Sequence, residues 1–183
     1  LNRDDTNSPK DCEFGGHRRA RISSQCLKRA IRTSDVFKNG VGNDTGIRTK
    51  LYADVIKQRL VKEGKDEKSA GTISRAVSTA LYGKMDDKGG KVLMFLSTSE
   101  LDDIHKRLMT NWDALARLPG DIEDEVTIEK KVGKKGKASG KLAQAIDDLF
   151  KDYRPTRFSP DIALFGRMVT EKPSLNVDAA CQV

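Results

Sequence analysis

The chain has 183 residues, a formal net charge of +7 and 33% charged residues, enough for one substantial domain or two small ones; a single domain with insertions is the default. Three cysteines, Cys12, Cys26 and Cys181, lack any C-x-x-C spacing, which argues against a disulfide framework and a zinc knuckle and for a reducing cytoplasm. No apolar run approaches the roughly 20 residues of a membrane span, and no signal-peptide pattern is visible.

Residues 1–16 are polar and turn-rich and read as an irregular lead-in. A basic strand is expected near 18–23, then a Ser-Ser step and a helix to Arg32. The glycine-rich stretch 33–47 reads as a loop. Leu51, Val55, Leu60 and Val61 fit a helix over 48–61, and Ile73, Val77, Ala80 and Leu81 fit another over 69–81. MDDKGG breaks the chain. The apolar run 91–96 reads as a buried strand entering a capping box, Ser97 to Glu100, and a helix carrying Leu101, Ile104, Leu108, Trp112 and Leu115. Lys130 to Lys137 reads as a solvated linker, with an RNA-facing loop as the alternative, and 141–151 as an amphipathic helix. DIALFGRMV reads as a last buried strand near 161–166. Strands near 18–23, 91–96 and 161–166 suggest an α+β sheet with helices on one side. The chain opens on Leu, and AACQV at its end resembles the start of a helix, so further residues are expected at both ends.

Charge is unevenly placed. Residues 1–32 hold eight Lys and Arg against four Asp and Glu, and residues 130–157 hold nine against three. No acid occurs between His17 and Ser34. At about 100° per residue, Lys28, Arg32, Gln25 and Arg29 fall on one side of their helix, and Leu27, Ala30 and Ile31 on the other. The expected arrangement packs the apolar side inward and turns the basic stripe outward, with Ser23 and Ser24 as candidate N-caps. Free amides at that terminus, joined by Arg18, Arg19 and Arg21, make a candidate phosphate cradle. An ordinary solvated amphipathic helix is the competing reading.

Other chemistry is sparsely represented. His17 and His105 are the only histidines and fit no metal-ligand or triad spacing. Paired acids at Asp4-Asp5, Asp86-Asp87, Asp102-Asp103 and Asp147-Asp148 leave a metal-dependent nuclease open on composition, but neighbouring Asp side chains on a helix diverge by about 100°. No Walker or dinucleotide-binding loop is present, so no cofactor and no metal is expected. Without an aromatic-rich strand, the expected grip is on a nucleic-acid backbone and not on its bases.

LNRDD at 1–5, FGGHRRARISSQCLKRAIR at 14–32, FLSTSEL at 95–101, DIALFGRM at 161–168 and NVDAACQV at 176–183 occur in order along the chain. With these blocks it resembles the CasC family, the backbone subunits of the type I-E CRISPR Cascade complex. The resemblance implies an RNA-recognition-motif-like (ferredoxin-like) core from 1–35 and 156–183, with 91–100 as a possible further strand and 36–155 mainly a helical insertion. The family's first strand and its protruding thumb are without counterpart here. It also implies a non-catalytic, cytoplasmic subunit that polymerises along a CRISPR guide RNA, joins other Cascade subunits and meets target DNA through the guide, with no membrane role. Residues matching Arg3, Ser23, Gln25, Lys28, Arg29 and Arg32 would hold the guide backbone. Arg167 and Met168 in the GRM turn would contact the RNA as well, Arg167 as a surface cation and Met168 where neighbouring bases splay at a kink; Arg18, Arg19 and Arg21 would face guide or a neighbouring subunit. The alternative is an RNA-cleaving backbone subunit of a related type III complex, with Asp4, Asp5 or Asp11 as the candidate acid.

Overall fold

The computed structural model describes residues 3–42, 44–86, 89–118, 140–169 and 172–183. The 130–137 run therefore lies outside the described residues. Its elements in chain order begin with β1 (Asp11–Phe14), β2 (His17–Ala20), α1 (Ser24–Thr33), α2 (Asp35–Gly40) and β3 (Ile47–Thr49). They continue with α3 (Tyr52–Lys62), α4 (Glu67–Tyr82), β4 (Met85–Asp86), β5 (Gly89–Gly90) and β6 (Met94–Leu96). The last are α5 (Thr98–Thr110), α6 (Trp112–Ala116), α7 (Lys141–Phe150), α8 (Pro160–Phe165) and a 3-10 turn at Pro173–Leu175.

The core is helical, built where apolar residues recur every three or four positions. Tyr52, Ile56 and Leu60 of α3 meet Ala70, Ile73, Val77 and Leu81 of α4, and Leu101, Ile104 and Leu108 of α5 join Leu142, Ile146 and Phe150 of α7. Burying each large side chain is worth roughly 1.5–3 kcal/mol, so this cluster dominates the stability of the chain. The helix starts match their sequence signals. Asp66 accepts from the Ser69 amide at 2.9 Å at the head of α4, and Glu100 returns to the Ser97 amide at 3.4 Å at the head of α5. Asn111 separates α5 from α6, so the helix expected to run through Leu115 is two.

Several local expectations are corrected. Part of the 1–16 lead-in is β1, paired antiparallel with β2 in the register Asp11↔Ala20 to Phe14↔His17, and the basic strand ends at Ala20. Gly15 and Gly16, at φ 63° and 71°, supply the two positive φ angles of a type I′ turn, which matches strand twist. The 33–47 stretch contains α2, because the Ser34 hydroxyl accepts from the Phe37 amide. Within MDDKGG, Met85–Asp86 pairs antiparallel with Gly89–Gly90, β4 with β5. The strand expected at 161–166 is α8: Pro160 at the first turn, Asp161 behind it and Gly166 at φ 76° are helix start and stop signals that outweigh a short apolar run. The final residues, 178–183, are not helical; the Ala180 and Cys181 amides donate to the Ala163 and Leu164 carbonyls at the end of α8.

Among the described residues the strands form three separate two-stranded pairs, β1 with β2, β3 with β6, and β4 with β5. The expected joining of the 18–23, 91–96 and 161–166 segments is not present among them, since β6 pairs with β3 and the third segment is helical. Elements β1, β2, α1 and α2 contribute no buried residue and stand beside the helical core. No helix among the described residues is long and apolar enough to cross a membrane.

Candidate nucleic-acid interface

The basic segment arrives on the β1–β2 hairpin and turns into α1 at Ser23, whose extended backbone and hydroxyl cap the helix by accepting from the Cys26 amide at 3.3 Å. No acid lies in the first turn, so the positive end of the helix dipole is uncompensated by α1 itself. On the hairpin, Arg18 pairs with Asp11 through Nε at 2.6 Å, and Arg19 donates to the Phe14 carbonyl at 3.2 Å while lying over the Phe14 ring. Such exposed pairs contribute at most about 1 kcal/mol each, and both arginines are readily redirected.

The orientation of α1 reverses the expected one. Leu27 and Ile31 are 40% and 37% exposed, whereas Lys28 and Arg32 are half-buried against α8. Lys28 Nζ donates to the Phe165 carbonyl at 3.3 Å, and Arg32 Nη2 donates to the Asp161 carbonyl at 3.3 Å. The Arg32 Nε also lies 3.3 Å from the Asp161 carboxylate, close enough for an ion pair but out of line for a hydrogen bond. The Arg32 guanidinium lies over two rings, Phe95 at 4.4 Å and Phe165 at 4.9 Å. The cause of the reversal is Asp161. Its side chain is 1% exposed, and a buried carboxylate requires a cation and hydrogen bonds. The Gly46 amide supplies one bond at 2.8 Å, and Arg32 supplies the charge. Burial pulls the Arg32 pKa below its ordinary value; Asp161 opposes this, and nearby Arg48 adds to it.

With Lys28 and Arg32 turned toward α8, the outer edge of the element is Arg21, Gln25 and Arg29. All three are exposed, and their side chains have no hydrogen bond or ion pair among the described residues. Arg3 sits apart on the lead-in turn, bonded to the Asn7 carbonyl. Met168 is 79% exposed, held out by its two buried neighbours. One of them, Arg167, was grouped with the surface cations by sequence but lies inside. Its guanidinium meets Glu100 at 2.6 Å, the Phe95 carbonyl at 3.0 Å and the Leu175 carbonyl at 3.0 Å. The other, Val169, donates its amide to the Asn176 side chain.

Sequence reasoning missed Asp161, Phe95 and Arg48, which surround Arg32. The Ser-Pro-Asp helix start was a usable signal for Asp161, whereas Arg48 and Phe95 meet only through the pairing of β3 with β6. Among the candidate acids, Asp4 is engaged within its own turn by the Thr6 hydroxyl and the Thr6 and Ser8 amides, which hold its carboxyl below the ordinary range. Asp11 is paired with Arg18. No group of three or more His, Cys, Asp or Glu able to hold a metal occurs among the described residues. An open cleft of about 890 Å³ lies away from α1, between α3, α4 and the β4–β5 pair, where Lys57 and Glu67 pair with each other at 2.8 Å.

The family model of the CT1975-like proteins matches residues 1–183. Among solved structures, the chain is similar to a chain of a CRISPR RNA-guided surveillance complex, with a TM-score of 0.61 and 28% identity over 98% of this chain and 51% of that one. It is likewise similar to a chain of a CRISPR RNA-guided surveillance complex described as pre-nicking, with a TM-score of 0.62 and 29% identity over 98% of this chain and 46% of that one. The chain thus spans about half the length of these relatives. A comparison with curated proteins finds no match.

Proposed function

The chain belongs to the CT1975-like family of Cas proteins, and from that premise we propose that it acts as a subunit of a CRISPR RNA-guided surveillance complex. In this reading it is a non-catalytic, cytoplasmic backbone subunit of the type I-E Cascade kind. Copies polymerise along the guide RNA, contact other subunits and present guide bases for pairing with target DNA. The protein grips the backbone, and base pairing carries sequence specificity. Residues 1–35 and 156–183 belong to an RNA-recognition-motif-like core, and 36–155 form the helical insertion. The packing of α3 to α7 around one core, with β1, β2 and α1 outside it, supports the boundary after α1, while Val169 and Leu175 of the 156–183 segment pack into that same core.

The observation that carries the RNA-binding part is the acid-free edge of Arg21, Gln25 and Arg29 beside the Ser23-capped start of α1, whose three side chains have no hydrogen bond or ion pair among the described residues. Lys28 and Arg32 back this edge from the α8 side, and Met168 is the exposed apolar knob that meets bases. The purified protein is expected to carry RNA of uniform length. Replacing Arg21 and Arg29 with Ala should weaken binding to every RNA sequence alike and flatten the salt dependence by about 0.7 per lost phosphate contact. Unchanged affinity and slope would sink the RNA-binding reading. Complementary-RNA cutting at regular intervals, abolished by Asp4→Ala or Asp11→Ala, would replace the non-catalytic role with a cleaving one.

A further inference from the structure

Arg48 has no part in the roles described so far. It stands on β3 directly opposite Phe95 of β6, and opposed residues of an antiparallel pair share one face of the ladder. Its guanidinium carbon lies 5.8 Å from the Phe95 centroid, while Arg32, arriving from α1, lies 4.4 Å from the same ring. The two cations are thus separated by no more than about a Debye length, roughly 10 Å at 0.1 M salt, and repel each other through little screening. That repulsion contributes to the lowered pKa of Arg32.

The local charge does not balance. Lys28, Arg32 and Arg48 approach this corner, and Asp161 is the acid that faces Arg32. One Asp161 oxygen accepts from Gly46 and the other faces Arg32. The Arg48 side chain is exposed and has no hydrogen bond or ion pair among the described residues. Two forked guanidiniums held on one aromatic platform, one of them unpaired, match the several oxygens of a phosphate, which planar donors bind bidentately.

We propose that Arg48 and Arg32, placed together by Phe95, bind one phosphate of the nucleic-acid backbone and extend the basic row of α1 beyond its C-terminal end. This deepens the RNA-binding reading and rests on it. Arg48 contacts the phosphate, and Phe95 positions both guanidiniums.

The test compares Arg48→Gln, Arg48→Lys and Arg29→Ala by fluorescence anisotropy with single-stranded RNA of arbitrary sequence over a salt series. Arg48→Gln is expected to flatten the salt slope by about 0.7, and Arg48→Lys to keep the slope while binding more weakly. A normal slope for Arg48→Gln alongside a flattened one for Arg29→Ala overturns the Arg48 site and leaves the RNA-binding reading intact. Normal slopes for both overturn the reading and the site together. In the unmutated protein, RNA should slow phenylglyoxal modification of Arg48, read by mass spectrometry. Equal modification with and without RNA overturns the proposal independently of any folding effect of the substitutions.

Discussion

Asp161→Asn should lower the stability of this protein and raise its affinity for RNA. The substitution keeps the shape of the side chain, and the Asn carbonyl oxygen can still accept from the Gly46 amide, now 2.8 Å away. What is lost is the charge facing Arg32. At 3.3 Å and an effective dielectric of about 20, the Coulomb attraction is roughly 5 kcal/mol before desolvation is counted. Removing one partner of a buried pair costs about 3–5 kcal/mol. Arg32 remains 17% exposed and keeps its two ring contacts, so a loss near the low end, about 3 kcal/mol, is expected. Urea unfolding followed by the fluorescence of Trp112, the single tryptophan, measures it. RNA binding should move the other way. Without Asp161 offsetting its charge, Arg32 binds the phosphate it shares with Arg48 more strongly, and the salt slope should steepen by up to about 0.7. Wild-type stability in Asp161→Asn would refute the assignment of this pair as the latch between α1 and α8. A flatter salt slope would refute the claim that Asp161 competes with RNA.

Gly90→Ala should destabilise the protein by about 1–3 kcal/mol in the same unfolding experiment, because a Cβ there would meet the buried Tyr52 hydroxyl at 1.8 Å and its ring carbon at 2.1 Å. A neutral result would place the β4–β5 pair further from α3 than described. Tyr82→Phe removes a buried hydroxyl that has no hydrogen-bond partner among the described residues, and is expected to leave stability unchanged or raise it by about 1 kcal/mol. It should also reduce alkaline unfolding. Burial, then the nearby Glu100, pushes the Tyr82 pKa well above its ordinary 10.0, so above pH 10 the unfolded chain releases a proton that the folded one retains. Stability therefore falls as pH rises past 10, and the fall should be shallower in Tyr82→Phe.

Much of the helical core was legible in the sequence because its signals are local. Apolar spacing of three and four, the Asp66 cap and the Ser97–Glu100 box each act within one or two turns, so α4, α5 and α7 appear close to where their patterns place them. Short apolar runs carry less information. DIALF is equally readable as strand or helix by periodicity, and the Ser-Pro start with its Gly166 stop decides for helix. The β1–β2 hairpin was missed because its first strand is only four residues long and wholly exposed, leaving the Gly15-Gly16 turn as its main mark.

The candidate interface divides in the same way. By itself, the sequence determined the basic, acid-free character of 17–34, a serine cap at Ser23 or Ser24 and the phase of α1, all properties of consecutive residues. Which face of α1 turns inward was decided by tertiary structure. Asp161 lies 129 positions from Arg32 and Phe95 lies 63 away, yet the buried carboxylate and the ring together draw that arginine in. Amphipathicity gives a helix two faces without specifying the partner of either, and here an uncompensated buried charge outweighs the burial of Leu27 and Ile31.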